Sequence, residues 1–162
     1  MDVVFDLSEI EAFVDNLEGL SSEGIEKALT KAGNEITGIM ENKVKRLTPT
    51  GIPPRDISEE VFAEYWSGYT GGSLRDHWKS KPVRRRGKDY ICMIYNNSPY
   101  AMYVEYGHRQ TPGRFVPALG KRLKTSFVPG KYMARKALAE TRRIIPDVVK
   151  TYIKRAWEDL QP

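Results

Sequence analysis

Between Ser22 and Leu47 the apolar side chains Ile25, Ala28, Leu29, Ala32, Ile36, Ile39, Met40, Val44 and Leu47 recur at spacings of three and four. That is the stripe of one amphipathic helix, about 39 Å long at 1.5 Å per residue. Pro49 limits it, and Lys43, Lys45 and Arg46 near its end complement the helix dipole. A shorter stripe, Ile10, Phe13, Val14 and Leu17, starts at a capping box of Ser8 and Glu11 and stops at Gly19. After the proline-rich loop 48–55, residues 58–69 predict a short helix with Val61, Phe62, Tyr65 and Trp66 on one side, capped at Ser58 and closed by Gly71 and Gly72.

The pattern then changes period. Residues 73–83 read as a strand with Leu74, Asp76, Trp78 and Ser80 on one face. Residues 89–97 are apolar on both faces (Tyr90, Cys92, Ile94 against Ile91, Met93, Tyr95), which predicts a central strand. Between them Arg84, Arg85, Arg86, Gly87 and Lys88 form the expected hairpin tip. A turn at 96–99 leads into a helical turn or two over 100–106. Residues 107–130 are a long segment punctuated by Pro112, Gly113, Pro117, Gly120, Pro129 and Gly130. Segments of that length inside a compact domain are usually functional. This one is expected to reach out as an arm, with 115–118 pairing to 123–127 around Ala118-Leu119-Gly120. A C-terminal helix follows from Gly130, its stripe of Met133, Ala137, Leu138, Thr141 and Ile145 resuming at Val148, Val149, Tyr152, Ile153, Ala156, Trp157 and Leu160. Pro146 should kink or break it. The fold class is α+β: a small antiparallel sheet packed by a long N-terminal helix and a kinked C-terminal helix, with a long loop or hairpin arm.

Composition narrows the function classes. A chain of 162 residues, 40% hydrophobic and 29% charged, suits one folded domain spanning 1–162. No apolar run reaches the roughly 20 residues of a membrane span, and the acidic start is unlike a secretion signal, so a soluble cytoplasmic product is expected. One cysteine excludes an internal disulfide. The net charge of +5 allows an anionic partner without requiring one.

Catalytic machinery is sparse. Cys92 sits among Ile91, Met93 and Ile94, where a cysteine is a small buried hydrophobe, and only His77 and His108 could serve it as bases. Glu105 and His108 have the Glu-x-x-His spacing of dimetal helices, but Gly107 lies between them and the further ligands are missing. No phosphate loop is present. An enzyme is not expected, nor a metal, a cofactor or a small-molecule substrate. The basic residues offer more. Arg84, Arg85, Arg86 and Lys88 make a positive tip, readable as a solvated turn that guards a strand edge or as a contact. Arg109, Arg114, Lys121, Arg122 and Lys124 recur in the arm beside Phe115, Val116, Leu119 and Phe127, next to Tyr103, Tyr106 and His108. Together these are the candidate protein interface. A basic nucleic-acid-binding module, in which cations meet phosphates and aromatics meet bases, is the alternative.

Three segments carry a resemblance. Thr70 to Trp78 (TGGSLRDHW) looks like the "TG-x-LR-x-SW" element of bacteriophage tail-completion proteins, the head–tail joining family that includes minor tail protein Z of phage lambda. Residues 100–108 (YAMYVEYGH) resemble its "YA-x-YVE-x-G" signature, and 129–137 (PGKYMARKA) its "PG-x-x-M-x-x-KA" helix start. The long helix followed by Thr48-Pro49 is also similar. Residues 51–69 look like an insertion between the "TP" and "TG" elements, and His77 stands where a serine is common. The resemblance implies a structural virion protein: a ring of subunits, commonly a hexamer, at the head-proximal end of the tail. Its partners would be itself, the tail tube or terminator protein and head connector or neck proteins, with direct DNA contact not favoured. A ring needs heterologous contacts, one face of a subunit meeting a different face of the next. The extended arm 107–130 is the expected reach to a neighbour.

Overall fold

The protein was studied as a computed structural model that describes residues 2–4 and 21–159. The helix expected over 8–17 lies outside the described residues. The long helix α1 (Ser22–Leu47) forms as the stripe predicts. Ser21, in extended conformation, accepts from the Gly24 amide at 3.1 Å, and Thr48 turns the chain extended ahead of Pro49. Ala28, Ala32, Ile36, Met40 and Val44 bury one i, i+4 ridge of α1, and each large side chain in it contributes about 1.5–3 kcal/mol.

That ridge is clasped from two sides. On one lies a three-stranded antiparallel sheet in the order β1 (Asp2–Val4), β3 (Asp89–Asn96), β2 (Trp78–Arg86). β3 is central, as its two-sided apolarity implies, and it presents Tyr90, Cys92 and Ile94 to the core. On the other side pack the C-terminal helices, called α5 (Met133–Arg142) and α6 (Ile145–Glu158) by their place in the chain. Their stripe is the predicted one: Met133, Ala134, Ala137, Thr141, Ile145, Val149 and Ile153 are buried. The break falls at residues 143–144, with Pro146 in the first turn of α6, where its missing N–H costs nothing.

Three expectations need correction, and one strand was missed. Residues 73–76 are not strand but a helical turn, α3 (Ser73–Asp76), because Gly71 and Gly72 both take positive φ and Gly72 hands its carbonyl to the Asp76 amide. The predicted strand face mixed Leu74 and Trp78 with Asp76 and Ser80, so no clean alternation opposed the turn. The hairpin tip is only Gly87-Lys88, and Arg84 to Arg86 belong to β2. The C-terminal helix starts at Met133, three residues later than expected, after Tyr132 adopts a left-handed conformation (φ 53°). The three residues of β1 gave no periodic sign and were not predicted.

One irregularity in β2 shapes the sheet. Lys81 pairs with Met93 but Arg84 pairs with Ile91, so three steps on β2 match two on β3 and a bulge sits at Pro82-Val83. Proline has no amide to give the ladder, and the Val83 amide donates instead to Asn34 Oδ1 of α1 at 3.1 Å. Val83 presses on Gly33, where an added Cβ would come within 2.9 Å of Cγ2. Glycine in mid-helix therefore marks the closest approach of α1 to the sheet. Among the described residues no helix is long and apolar enough to cross a membrane.

Candidate functional site

Two buried joints set where the exposed segments emerge. The first ties the end of α1 to the start of β2. Thr48, fully enclosed, donates its hydroxyl to the Val44 carbonyl (2.6 Å) and accepts from the Trp78 indole N–H (2.8 Å). Arg75 of α3 reaches back to the Thr48 carbonyl (3.3 Å) and to Thr50 Oγ1 (2.6 Å), and the Asn96 side chain donates to the Leu74 carbonyl (2.8 Å). Thr48, Arg75 and Trp78 all come from the segments that carry the family resemblance. Their work is to hold a loop and a strand together in a place where unpaired polar groups would cost dearly.

The second joint is a crossing. The short helix α4 (Ala101–Tyr106) ends at Gly107, and the chain returns through Gly130 into α5. The amides of Lys131 and Tyr132 donate to the carbonyls of Val104 and Glu105 (2.8 and 3.0 Å). The Glu105 carboxylate, only 5% exposed, accepts from the amides of Ala134 (3.0 Å) and Arg135 (3.2 Å), the second and third residues of α5. Gly130-Lys131-Tyr132 offers that helix no capping side chain, so an acid from thirty residues earlier supplies the cap and meets the positive end of the dipole. Glu105 is thus a cap, not a member of a Glu-x-x-His metal pair. A side chain on Gly107 would strike the Val128 carbonyl, and one on Gly130 would strike the Glu105 carbonyl.

From this crossing the arm extends in two tiers. At its base β4 (Gly107–Arg109) pairs antiparallel with β7 (Phe127–Pro129), and Arg109 stands opposite Phe127. His108 lies edge-on to Tyr103, with ring centroids 5.9 Å apart. Arg109, Gln110, Thr111, Ser126 and Phe127 line an open groove of about 710 Å3. At its tip β5 (Phe115–Val116) pairs with β6 (Lys121–Arg122) around a single 3-10 turn, Pro117–Leu119, with Gly120 left-handed. The expected pairing of 115–118 with 123–127 is therefore wrong by several residues. The 3-10 turn tightens the hairpin, and 127–129 is committed to β4 instead.

The candidate residues fall into two groups. Tyr103, Tyr106, His108, Arg109 and Phe127 gather at the base, whereas Arg114, Phe115, Val116, Leu119, Lys121 and Arg122 gather at the tip. Lys124 lies in the stretch between them. Arg122 is tied to the Gly113 carbonyl at 2.7 Å. Phe115 and Phe127 are each 50% exposed and Tyr103 is 58% exposed.

The tip rests on the 51–69 segment, a contact that the sequence did not disclose. Helix α2 (Glu59–Tyr65), capped by Ser58 as predicted, brings Trp66 to donate its indole N–H to the Ala118 carbonyl at 2.7 Å. Lys121 reaches both carboxylate oxygens of Asp56, at 3.0 and 2.8 Å. Trp66 also stacks edge-on against Tyr69, with centroids 5.1 Å apart. Phe62 and Tyr65 of α2 remain exposed. The opposite charges were the available sign: 107–131 holds six cations and no acid, and 51–69 holds four acids and one cation.

The positive tip residues lie elsewhere, on the sheet. Arg85 faces α1 and pairs with Glu26 at 2.5 Å, while Arg84, Arg86 and Lys88 belong to the far end of the β2–β3 hairpin. Cys92 is completely buried, its thiol 3.4 Å from the Gly33 carbonyl. Burial pushes its pKa up, against a weaker opposing hydrogen bond from Thr37. A thiol so placed is a poor nucleophile. Among the described residues no three His, Cys, Asp or Glu side chains gather as a metal site.

No curated protein and no solved structure matches the chain. One family model, described as "Bacteriophage HK97-gp10, putative tail-component", matches residues 8–107. The match covers the whole of α1, the 51–69 segment, the sheet hairpin and both halves of the first joint, and it ends at Gly107 where the arm begins. Covering well over half of the sequence, it shows that the chain belongs to the HK97-gp10-like family of bacteriophage tail components.

Proposed function

We propose that this tail component closes the head-proximal end of the phage tail as a ring of identical subunits, a hexamer in the family pattern, and joins the tail to the head or neck. One observation supports this most directly. The arm and the 51–69 segment, braced against each other, leave Phe62, Tyr65 and Phe115 about half exposed at the tip, and Phe127 about half exposed at the base, where Tyr103 and Tyr106 of α4 are also exposed. Aromatic anchors of this kind, rimmed by arginine and lysine, are what protein interfaces are made of. The arm base and tip present different surfaces from the α1, α5 and α6 side, which suits the heterologous contact that a closed ring requires. The chain acts without catalysis, and its partners are further copies of itself, the tail tube or terminator protein and the head connector or neck.

The test is an electron micrograph of particles assembled without this protein. Heads and tails present but unjoined support the reading, and normally joined virions overturn it. Restoring the wild-type chain in trans should restore joining, whereas a chain with Phe115→Ser and Phe127→Ser should not.

A further inference from the structure

The bulge at Pro82-Val83 does more than dock β2 on α1. In a regular strand alternate residues share a face, so Lys79 and Lys81 would lie on one side and Arg84 and Arg86 on the other. The extra residue reverses the parity. Lys79 pairs with Tyr95, Lys81 with Met93, Arg84 with Ile91 and Arg86 with Asp89, all on the side away from α1. Val83 and Arg85 turn inward with Tyr90. Four cations thus stand in one row along an edge strand, about 20 Å from end to end. All four are exposed. Lys81 lies over the Tyr95 ring, 5.3 Å from its centroid.

The inward and outward arginines are treated differently. Arg85 is neutralised by Glu26. Lys81, Arg84 and Arg86 form no ion pair among the described residues; Asp89 stands opposite Arg86, and the β1 register places Asp2 opposite Met93 on the same face. Lys79 is partly engaged: burial pushes the Glu41 carboxyl up, but hydrogen bonds from Lys45 and Ser80 and the charges of Lys45 and Lys79 outweigh it and hold that carboxyl low. The free charge is concentrated on Lys81, Arg84 and Arg86.

We propose that the outward row of β2, Lys79, Lys81, Arg84 and Arg86, binds the phosphate backbone of a nucleic acid without regard to sequence. A row of cations set opposite every second residue of β3 complements a repeating polyanion better than it does an irregular acidic protein patch. The row holds no amide or carboxylate side chain poised to read base edges, so the contact is to phosphates alone.

Fluorescence anisotropy of the full-length chain with a labelled mixed-sequence DNA duplex tests this, apart from any assay of head–tail joining. Binding at about 50 mM salt is expected, with log K falling against log salt at a slope of about −3, near −0.9 for each phosphate neutralised. Lys81→Glu with Arg84→Glu and Arg86→Glu should weaken binding at least about tenfold and flatten that slope. These side chains are exposed, so far-UV circular dichroism and the melting temperature should be unchanged. The matched control, Arg114→Glu with Arg122→Glu and Lys124→Glu in the arm, should keep most of the affinity. No binding at low salt would overturn the proposal, as would a strand variant that binds like wild type or an arm variant that alone loses binding. Competition by polyglutamate as effective as DNA at equal charge would assign the row to an acidic protein and overturn it too.

Discussion

The crossing at Glu105 and the arm that leaves it are neighbours in sequence and opposites in physics. At the crossing the Lys131 and Tyr132 amides and the Glu105 carboxylate all have partners, two glycines let backbones touch, and the one carboxylate is enclosed. Along the arm phenylalanines stand half in water and five cations have a single ion-pair partner in the described residues, Asp56. The segments that carry the resemblance supply most of the residues of the joints. They fix where the arm starts and which way it points, and on the proposed reading the arm carries the surface that a partner would meet.

The sharpest way to break this contrast is at Gly107, whose φ of 85° and ψ of 173° suit glycine alone. Gly107→Ala adds that strain to a collision with the Val128 carbonyl and should cost more than about 3 kcal/mol in a urea titration, or prevent folding. An arm glycine with open space around it, Gly113, is the control: there the collision is absent although the φ penalty remains. Near-equal losses at the two positions would mean that the close approach is unimportant.

Glu105→Ala comes next. It strips the cap from α5 and leaves the enclosed Ala134 amide and the partly buried Arg135 amide without acceptors, a loss of about 2–3 kcal/mol. Glu105→Gln, keeping one oxygen, should recover part of it. Hydrogen exchange would show whether the loss is local: protection of the Ala134 and Arg135 amides should fall before that of α1 does.

Thr48→Val tests the other joint at nearly constant volume. The Trp78 indole would lose its acceptor in a closed site, for about 1–3 kcal/mol. A change within error would mean that water reaches the indole and that Thr48 is a filler.

Much of the framework was legible because it rests on periodic burial. The stripe of α1, the two-sided apolarity of β3 and the Pro146 break each declare themselves over several residues. What escaped depended on single long-range partners. The register of β2 turns on Asn34 taking the Val83 amide, forty-nine residues away. The arm hairpin closes early because 127–129 pairs with 107–109, and no local pattern favours that over the pairing expected. Glu105 read as half of a weak metal motif, whereas the better clue was negative: a helix start at 130–133 with no capping residue of its own. The 51–69 segment was read as an insertion and not as a support for the arm, since Trp66 and Ala118 are related only through the fold.

Cys92 probes the core side of the comparison through pH. Its folded pKa is raised, so the neutral thiol contributes stability that is present below the ordinary thiol pKa and is lost as pH rises towards the folded value. Stability should therefore decline above about pH 8.5, and less so in Cys92→Ala once its packing loss is subtracted. A thiol reagent should react only as fast as the chain unfolds. Rapid reaction at neutral pH would mean that α1 and β3 part more easily than their packing suggests.

The smallest expected change in stability is the most telling about function. Phe115→Ser and Phe127→Ser remove side chains already half in water, so the melting curve should shift by less than about 1 kcal/mol for the pair. If the arm is a contact surface, the same pair should abolish head–tail joining in a complementation assay, because burial of those rings on a partner supplies the binding energy. The joint variants should do the reverse, losing stability first and joining only as the folded population falls. A phenylalanine pair that leaves joining intact would move the contact surface off the arm. The exposed aromatics of α2 and α4 would be the next place to cut.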